Sequence, residues 1–495
     1  MGYKADSIFK NQFFNMLMQA LNIAFPLIAI PYTTRLFGPE VLGEINFANS
    51  IVQYFLMIST AGIPIYAVRE IAKARDDKEL LNKKFKEIAI LQAIFAIVST
   101  ILYVILIFNM PRFRAEIYIY LFLGIQIISN IFNYVWFIQG IEKYRYVAIT
   151  TFITKVINIV LIFTLLKSRE DYNLYAFIMG ITVFINVFLN MIISIRLFKD
   201  LKYDQKININ YKNLKLHMKF IFIFFLSDVA VKVYTAMDQT MLGIIDSNEA
   251  VGYYSMSIRL VKTLLTFVTS LSVVLLPRIS NSIINNKSSD VKKYLSISIK
   301  LVYLIAIPAI FGILAIGEEI INIYLGSEFL QSASVFKLVS ILLLIIGLSN
   351  VFGVQVMIPY GKEKKFTTIL IYAAISNFII NLLLIPEFSY IGAAFATILA
   401  ELLVTVLMYF EVKKILGSVP EVFNVTKFIV PSLVFYIIIK LIIKNIITSD
   451  LYVIIFSIPL AAVIYAGGLI ALKEDIVITS LDKLKDLLLK LRNKK

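Results

Sequence analysis

Fourteen apolar stretches, each about 20 residues long, recur along this chain of 495 residues, and Lys and Arg gather in every second gap between them. A run of about 20 apolar residues is what an α-helix needs to cross the hydrocarbon core of a bilayer. No water is available there, so each segment must satisfy its own backbone donors and acceptors, and a chain built this way folds as a bundle of helices. The runs fall at 12–34, 42–63, 86–108, 116–139, 146–166, 174–195, 216–240, 252–276, 297–316, 333–357, 366–385, 390–410, 428–444 and 450–472. With their immediate flanks, the N-terminus, the even-numbered connections and the C-terminal tail hold 36 of the 48 Lys and Arg residues, and the odd-numbered connections hold 7. Basic residues mark cytoplasmic loops, so the expected topology is multi-pass with both termini cytoplasmic, in a cell membrane.

The net charge of +16 follows from the same asymmetry. Collars of Lys and Arg meet anionic headgroups and hold the topology, which removes the need for a nucleic-acid partner. A hydrophobic fraction of 59% exceeds what soluble domains use, and no polar stretch is long enough for a separate soluble domain. With no cysteine, disulfides, thiolate metal sites and a Cys nucleophile are excluded. The first apolar run lacks a small-residue cleavage site and reads as a retained helix rather than a signal peptide.

The parts of an enzyme are missing from the sequence. Its one histidine, His217, stands beside Lys215 and Lys219 at the start of the seventh run. A lone interfacial His reads as a headgroup or backbone contact, and there is no second His to build a metal pair. No GxxxxGK[ST] loop, GxSxG elbow or helix-opening GxGxxG occurs, so nucleotide hydrolysis and acyl transfer lack their machinery. The outward connections are short, the longest running from Gly317 to Ser332. No catalytic residue, cofactor or metal is expected.

What remains is charge placed inside apolar runs. Lys155 lies in the fifth, Asp228, Lys232 and Asp238 in the seventh, Arg259 and Lys262 in the eighth, Lys337 in the tenth and Glu401 in the twelfth. At about 2.5 to 3.5 kcal/mol for each cation facing lipid, the arrangement is tolerable only if most of them face a polar interior. Asp228 and Lys232, spaced i, i+4, can pair on one helix face. Arg259 and Lys262, spaced i, i+3, share a face and cannot neutralise each other. With Lys232 and Lys337 they leave cationic charge that suits an anionic ligand such as phosphate, unless Asp238, Glu401 and backbone carbonyls absorb it.

Prolines interrupt several runs: Pro26 and Pro31 the first, Pro308 the ninth, Pro431 the thirteenth and Pro459 the fourteenth. Each removes a backbone donor and can kink a helix, either statically or at a moving gate. A weak internal repeat also runs through the chain. Leu36-Phe37-Gly38-Pro39-Glu40-Val41-Leu42-Gly43 follows the first run, and Leu242-Gly243 through Val251-Gly252-Tyr253 follows the seventh. Six runs per half preserve orientation, so the expected organisation is a six-helix lobe at 1–200, a second at 201–415, two additional helices at 416–472 and a basic cytoplasmic tail at 473–495.

The segment from Pro31 to Gly43 resembles the N-terminal signature of the polysaccharide transporter family, the Wzx-type flippases of the multidrug/oligosaccharidyl-lipid/polysaccharide superfamily. Trp136-Phe137-Ile138-Gln139-Gly140, Asp238-Gln239-Thr240-Met241-Leu242-Gly243 through Tyr254, and Ile391-Gly392-Ala393-Ala394 match further along, so the resemblance covers essentially the whole chain. It implies an all-α polytopic membrane protein of about 14 transmembrane helices, with two pseudo-symmetric six-helix lobes and two extra helices. It also implies a flippase that moves a polyprenyl-diphosphate-linked oligosaccharide to the outer face of the plasma membrane by alternating access. On that reading Arg259, Lys262, Lys232 and Lys155 hold the diphosphate, with Lys337 in the same cationic set and Arg35 near the outer mouth. Tyr234 and Asn158 are candidate sugar contacts, and Asp228, Asp238 and Glu401 are candidates for coupling or charge pairing.

Two other transport readings stand beside it, a cation-coupled multidrug exporter and a lipid II flippase. The first is disfavoured by a first run without any acidic residue, and the second by the N-terminal signature. The expected partners are the lipid-linked oligosaccharide, membrane lipids and the polysaccharide polymerase machinery, around a monomer.

Overall fold

The computed structural model of the chain describes residues 8–199, 211–285, 287–420 and 425–479, and within those helices the side chains of 226–235 and 271–274, among others, lie outside the description. Every regular element among the described residues is helical, as the apolar runs require. Among the described residues, nine helices are long and apolar enough to cross a membrane, or ten when a bent pair, Asn248–Ser270 and Leu275–Ile284, is taken as one span. The chain is a multi-pass membrane protein. It divides into two compact units, Met1–Gly252 and Tyr253–Lys495.

The first unit is built around α1 (Ile8–Thr60), followed by α2 (Ile63–Ala74), α3 (Lys78–Asn109), the short α4 (Pro111–Ala115), α5 (Ile117–Ser129), α6 (Val135–Gly140), α7 (Tyr144–Leu165), α8 (Tyr172–Lys199) and α9 (Tyr211–Ile245). At 53 residues α1 is on the order of 80 Å long, far beyond the roughly 30 Å hydrocarbon core, and so is long enough to cross twice. The break is Gly38, at φ 70° and ψ 178°. That region is open essentially to glycine alone, because a Cβ would collide with its own backbone. α1 packs against α3, α5, α7 and α9, and α8 packs against α5 and α7.

An aromatic and aliphatic cluster closes this unit around α2, α3 and α6, with Tyr66, Phe85, Trp136, Phe137 and Ile138 all buried. Phe85 lies 4.5 Å from the ring of Phe198 and 4.9 Å from that of Phe137. Gln92 pins the cluster in polar terms: its amide donates to the carbonyl of Asn130 at 2.6 Å, and its oxygen accepts from the Trp136 indole at 2.6 Å. A buried indole N–H needs such a partner. Between α7 and α8 runs a polar seam in which Thr150 donates to Asn190, Asn186 to Thr154 and Asn158 to Thr182, at 3.0, 3.0 and 3.2 Å. In lipid, where apolar helices gain nothing by hiding from water, such bonds and close packing hold helices together.

The second unit begins within α10 (Asn248–Ile284) and continues through α11 (Ser288–Leu325), α12 (Ser332–Val339), α13 (Leu342–Asn350), α14 (Glu363–Leu416), α15 (Thr426–Ile438), α16 (Lys444–Ile446) and α17 (Asp450–Ala471). α11 is its hub, in contact with α12, α13, α15 and α17. α14, at 54 residues, is also long enough to cross twice, and its break is Ser389 at φ 52°. A π-helical segment, Val351–Met357, joins α13 to the turn before α14, and within it buried Gln355 accepts from Ser298 at 2.7 Å. Lys444 pairs with Glu319 at 2.5 Å.

The helices run on through Pro26, Pro31, Pro308, Pro431 and Pro459. The residues with non-helical dihedrals are instead Gly38, Ile316 and Ser389. Transmembrane helices accommodate proline because neighbouring groups re-satisfy the freed carbonyl. A residue with positive φ, by contrast, must turn the chain.

Candidate functional site

Two places in the first unit and a set of charged positions in both units carry the chemistry. The first place is where the turn between α9 and α10 meets the second half of α1. Gly43 lies so close to Asn248 that a Cβ there would fall on the Asn248 carbonyl, and Gly252 stands in the same relation to the Pro39 carbonyl. A third glycine, Gly243, abuts the ring of Phe47. Around this contact Glu44 accepts from the Tyr120 hydroxyl at 3.2 Å and from the side-chain amide of Asn248. Arg112 donates to Asn248 Oδ1 at 3.3 Å while its guanidinium sits 4.2 Å over the Phe47 ring. Ser50 and Thr240 are hydrogen-bonded at 2.8 Å one turn further along. The two halves of the sequence repeat, Leu36–Gly43 and Leu242–Gly252, thus pack on each other.

The second place is the start of α9. His217 is buried, which corrects its reading as a headgroup or backbone contact. Its Nε2 lies 2.9 Å from Glu87 on α3, and its Nδ1 lies 2.5 Å from the Tyr66 hydroxyl on α2. An ionised carboxylate only accepts, so Nε2–H donates to Glu87 and Nδ1 accepts from Tyr66. The sequence hid this because the three residues stand on three helices. Their only local signal was a lone His among lysines.

The charged residues singled out in the sequence are distributed as follows. Arg35 is exposed on α1, three residues before the Gly38 break, and Lys155 is half-buried on α7. Asp238 is buried near the end of α9. The side chains of Asp228, Lys232 and Tyr234 on the same helix lie outside the described residues. Arg259 and Lys262 are both exposed on α10, about 16 and 21 Å along the helix from its first residue. Tyr324 of α11 lies within electrostatic reach of Arg259. Lys337 on α12 is bound to Glu318 at 2.5 Å, and Glu401 is half-buried on α14. Asn158, a candidate sugar contact, donates to Thr182 in the polar seam. No cluster of three or more His, Asp and Glu fit for a metal ion occurs among the described residues.

The family-signature words prove to be packing devices. Trp136 is buried on Gln92, and Gly140 meets the Ile71 side chain so closely that a Cβ would stand 2.6 Å from it. Gly392 admits the Leu384 carbonyl in the same way.

The described residues thus form a multi-pass helical membrane protein with cations exposed along one long helix. The family described as polysaccharide biosynthesis protein matches residues 8–283, more than half of the chain, and the chain belongs to it. A protein of Escherichia coli K12 that carries the name of an O-antigen transporter is 25% identical over 409 residues, 82% of this chain and 97% of its own. A protein of Haloferax volcanii named as a low-salt glycan biosynthesis flippase is 29% identical over 204 residues, 40% of this chain and 42% of its own. Among solved structures, the lipid II flippase MurJ in an inward closed conformation superposes with a TM-score of 0.69 at 16% identity, over 94% of this chain and 99% of that one. An inward-facing multidrug transporter of the MATE family superposes with 0.63 at 10% identity, over 82% and 96%. These two show that the fold is shared.

Proposed function

We propose that this protein is a flippase, not an enzyme, that carries a polyprenyl-diphosphate-linked oligosaccharide from the cytoplasmic to the outer face of the plasma membrane for surface polysaccharide synthesis. The observation that carries the reading is the exposure of Arg259 and Lys262 on α10. Both lie well inside a helix of 37 residues, longer than the hydrocarbon core requires. A cation at that depth that faced lipid would cost about 2.5 to 3.5 kcal/mol, so a water-filled interior is where such side chains belong. An aqueous path lined by adjacent cations suits an anionic diphosphate, whose oxygens accept from guanidinium and ammonium groups. The names of the E. coli and Haloferax relatives point to the same cargo.

In this reading the diphosphate is held by Arg259 and Lys262, with Lys155, Lys232 and Arg35 along its route, and Lys337 joins them when it parts from Glu318. Asp228, Asp238 and Glu401 serve as coupling or pairing carboxylates. The cycle is one of alternating access by six-helix lobes at 1–200 and 201–415, and the helices within 416–472 flank the lipid chain. The cytoplasmic termini, the basic tail at 473–495, the monomeric state and an association with polymerase machinery belong to the same proposal. A ligand shifts such an equilibrium only by binding one state more tightly, and cations drawn together around a diphosphate supply that difference.

Mass spectrometry of membrane lipids from cells depleted of the protein, with sidedness read by an impermeant glycan-modifying reagent, tests it. Polyprenyl-diphosphate oligosaccharide accumulating on the inner face supports flipping. Unchanged amount and sidedness would reject it and direct attention to drug export.

A further inference from the structure

At the start of α9, a cavity of about 910 Å³ opens between this helix, the end of the second half of α1 and the middle of α3. Its wall is apolar, with Ile58, Phe95, Phe222 and Phe225 prominent, and two cations, Lys215 and Lys219, join it from the first turns of α9. Lys215, Lys219 and Phe222 follow the i, i+4, i+7 spacing that aligns side chains on one helix face. His217 occupies the opposite face. Its bonds to Tyr66 and Glu87 fix the rotation of α9, so the lysines and Phe222 are turned outward, and all three are exposed.

The dimensions fit one kind of molecule. From Lys215 to Phe225 is ten residues, roughly 15 Å, which is half of the roughly 30 Å hydrocarbon core and therefore the depth of one leaflet. The volume is that of a ligand pocket, not of a packing defect. An occupant needs an apolar body one leaflet long and an anionic head at the level of the lysines.

The surrounding charges keep the start of α9 positive. On α2 and α3, the helices that meet the start of α9, Glu70 is engaged by Lys73, Lys84 and Arg69 at 3.1, 3.3 and 3.8 Å, and Glu87 is engaged by His217. Among the described residues, Glu70 and Glu87 are thus already partnered by Arg69, Lys73, Lys84 and His217, while Lys215 and Lys219 line the cavity itself. Among the described residues of the wall, the two lysines are the polar side chains.

We propose that this cavity is a binding site for an acidic phospholipid of the cytoplasmic leaflet, with the phosphate on Lys215 and Lys219 and an acyl chain along Phe222, Phe225, Phe95 and Ile58. The proposal is independent of what the protein transports.

The test uses the full chain in nanodiscs of phosphatidylcholine containing a small fraction of phosphatidylglycerol, with retained lipid counted by native mass spectrometry after release into detergent. Wild-type protein is expected to retain phosphatidylglycerol over phosphatidylcholine. Lys215→Gln with Lys219→Gln is expected to weaken retention about fivefold per lysine, and Lys215→Arg with Lys219→Arg to preserve it. Ile58→Trp, which fills the cavity and leaves both lysines in place, should also lower retention. Unchanged retention in the double Gln variant would overturn the site. So would loss confined to the Gln variant, with Ile58→Trp like wild type, because that pattern belongs to a charged surface without a cavity. Displacement of phosphatidylglycerol by an added polyprenyl diphosphate at equal concentration would overturn it in favour of a loading site for that lipid. Each variant is taken forward only if monodisperse, and the Arg pair controls for a folding loss.

Discussion

Gly43 and Asn248 meet backbone to backbone: the carbonyl of Asn248 occupies the space that a side chain on residue 43 would need. The side-chain amide of the same asparagine reaches Glu44, next in sequence to that glycine. Two segments about 200 positions apart, each bearing glycines, are thereby held at a separation no other residue type permits. Glu44, Asn248 and Arg112 form a polar latch over the contact, and any conformational change that separates the α9–α10 turn from the second half of α1 must release it.

Replacing Gly43 or Gly252 with Ala should therefore wedge this contact apart. Forcing a methyl group into a filled contact costs about 1–3 kcal/mol. Since the obstacle is a backbone carbonyl and not a flexible side-chain tip, the upper part of that range applies. Thermal unfolding in detergent should show a clear loss for Gly43→Ala and Gly252→Ala. Gly467→Ala, where a Cβ has no neighbour within 4 Å, should be close to neutral. Equal stability of all three would mean that the close approach carries no energy.

Gly38→Ala tests a different cost at a neighbouring position. The dihedrals of Gly38 lie in a region essentially closed to residues with a Cβ, so the variant must either strain by about 1–3 kcal/mol or move the break in α1. A lower unfolding temperature, or a changed distance between spin labels placed on the two halves of α1, is the expected result. Wild-type values in both measurements would show that the break does not depend on glycine.

How much of this was legible in the sequence depended on whether the determining contacts were local. Apolar runs are local, and they revealed the helical, multi-pass class directly. The repeat glycines were visible as a pattern, but their mutual packing was not, because Glu44 and Asn248 are 204 residues apart. His217 looked interfacial because only its neighbours Lys215 and Lys219 were in view. Tyr66 and Glu87, which bury it, lie 151 and 130 residues away. Helix breaks were sought at prolines, yet positive φ at Gly38 and Ser389 sets the turns. Of the charged positions, Lys337 was read as cationic lining, and the structure adds its partner Glu318 from the end of α11.

His217 and Glu87 form a buried pair in which each side chain is about 2% exposed or less. Breaking a buried pair leaves a desolvated group behind and costs on the order of 3 kcal/mol, whereas removing both partners costs less. His217→Ala should destabilise strongly, Glu87→Gln should do so by a smaller amount, and the double variant should fall short of the sum. A double-mutant cycle by thermal or denaturant unfolding checks this, with a coupling of about 0.5–3 kcal/mol expected. Strict additivity would mean that the 2.9 Å contact contributes nothing.

Arg259→Ala and Lys262→Ala are expected to abolish flipping while leaving the protein inserted and abundant. Both side chains are exposed, so truncation opens no core cavity and should leave stability within about 0.5 kcal/mol. Transport should fail instead, because the diphosphate loses a charge-assisted donor. Arg259→Lys keeps the charge but loses the planar fork, so its activity should fall between wild type and Arg259→Ala if the guanidinium grips the phosphate through two donors. Reconstituted vesicles, with lipid-linked oligosaccharide exposure followed against protein abundance, separate the outcomes. Full activity in both single variants and in the double variant would remove these residues from the transport path, and would also remove the main support for an anionic cargo.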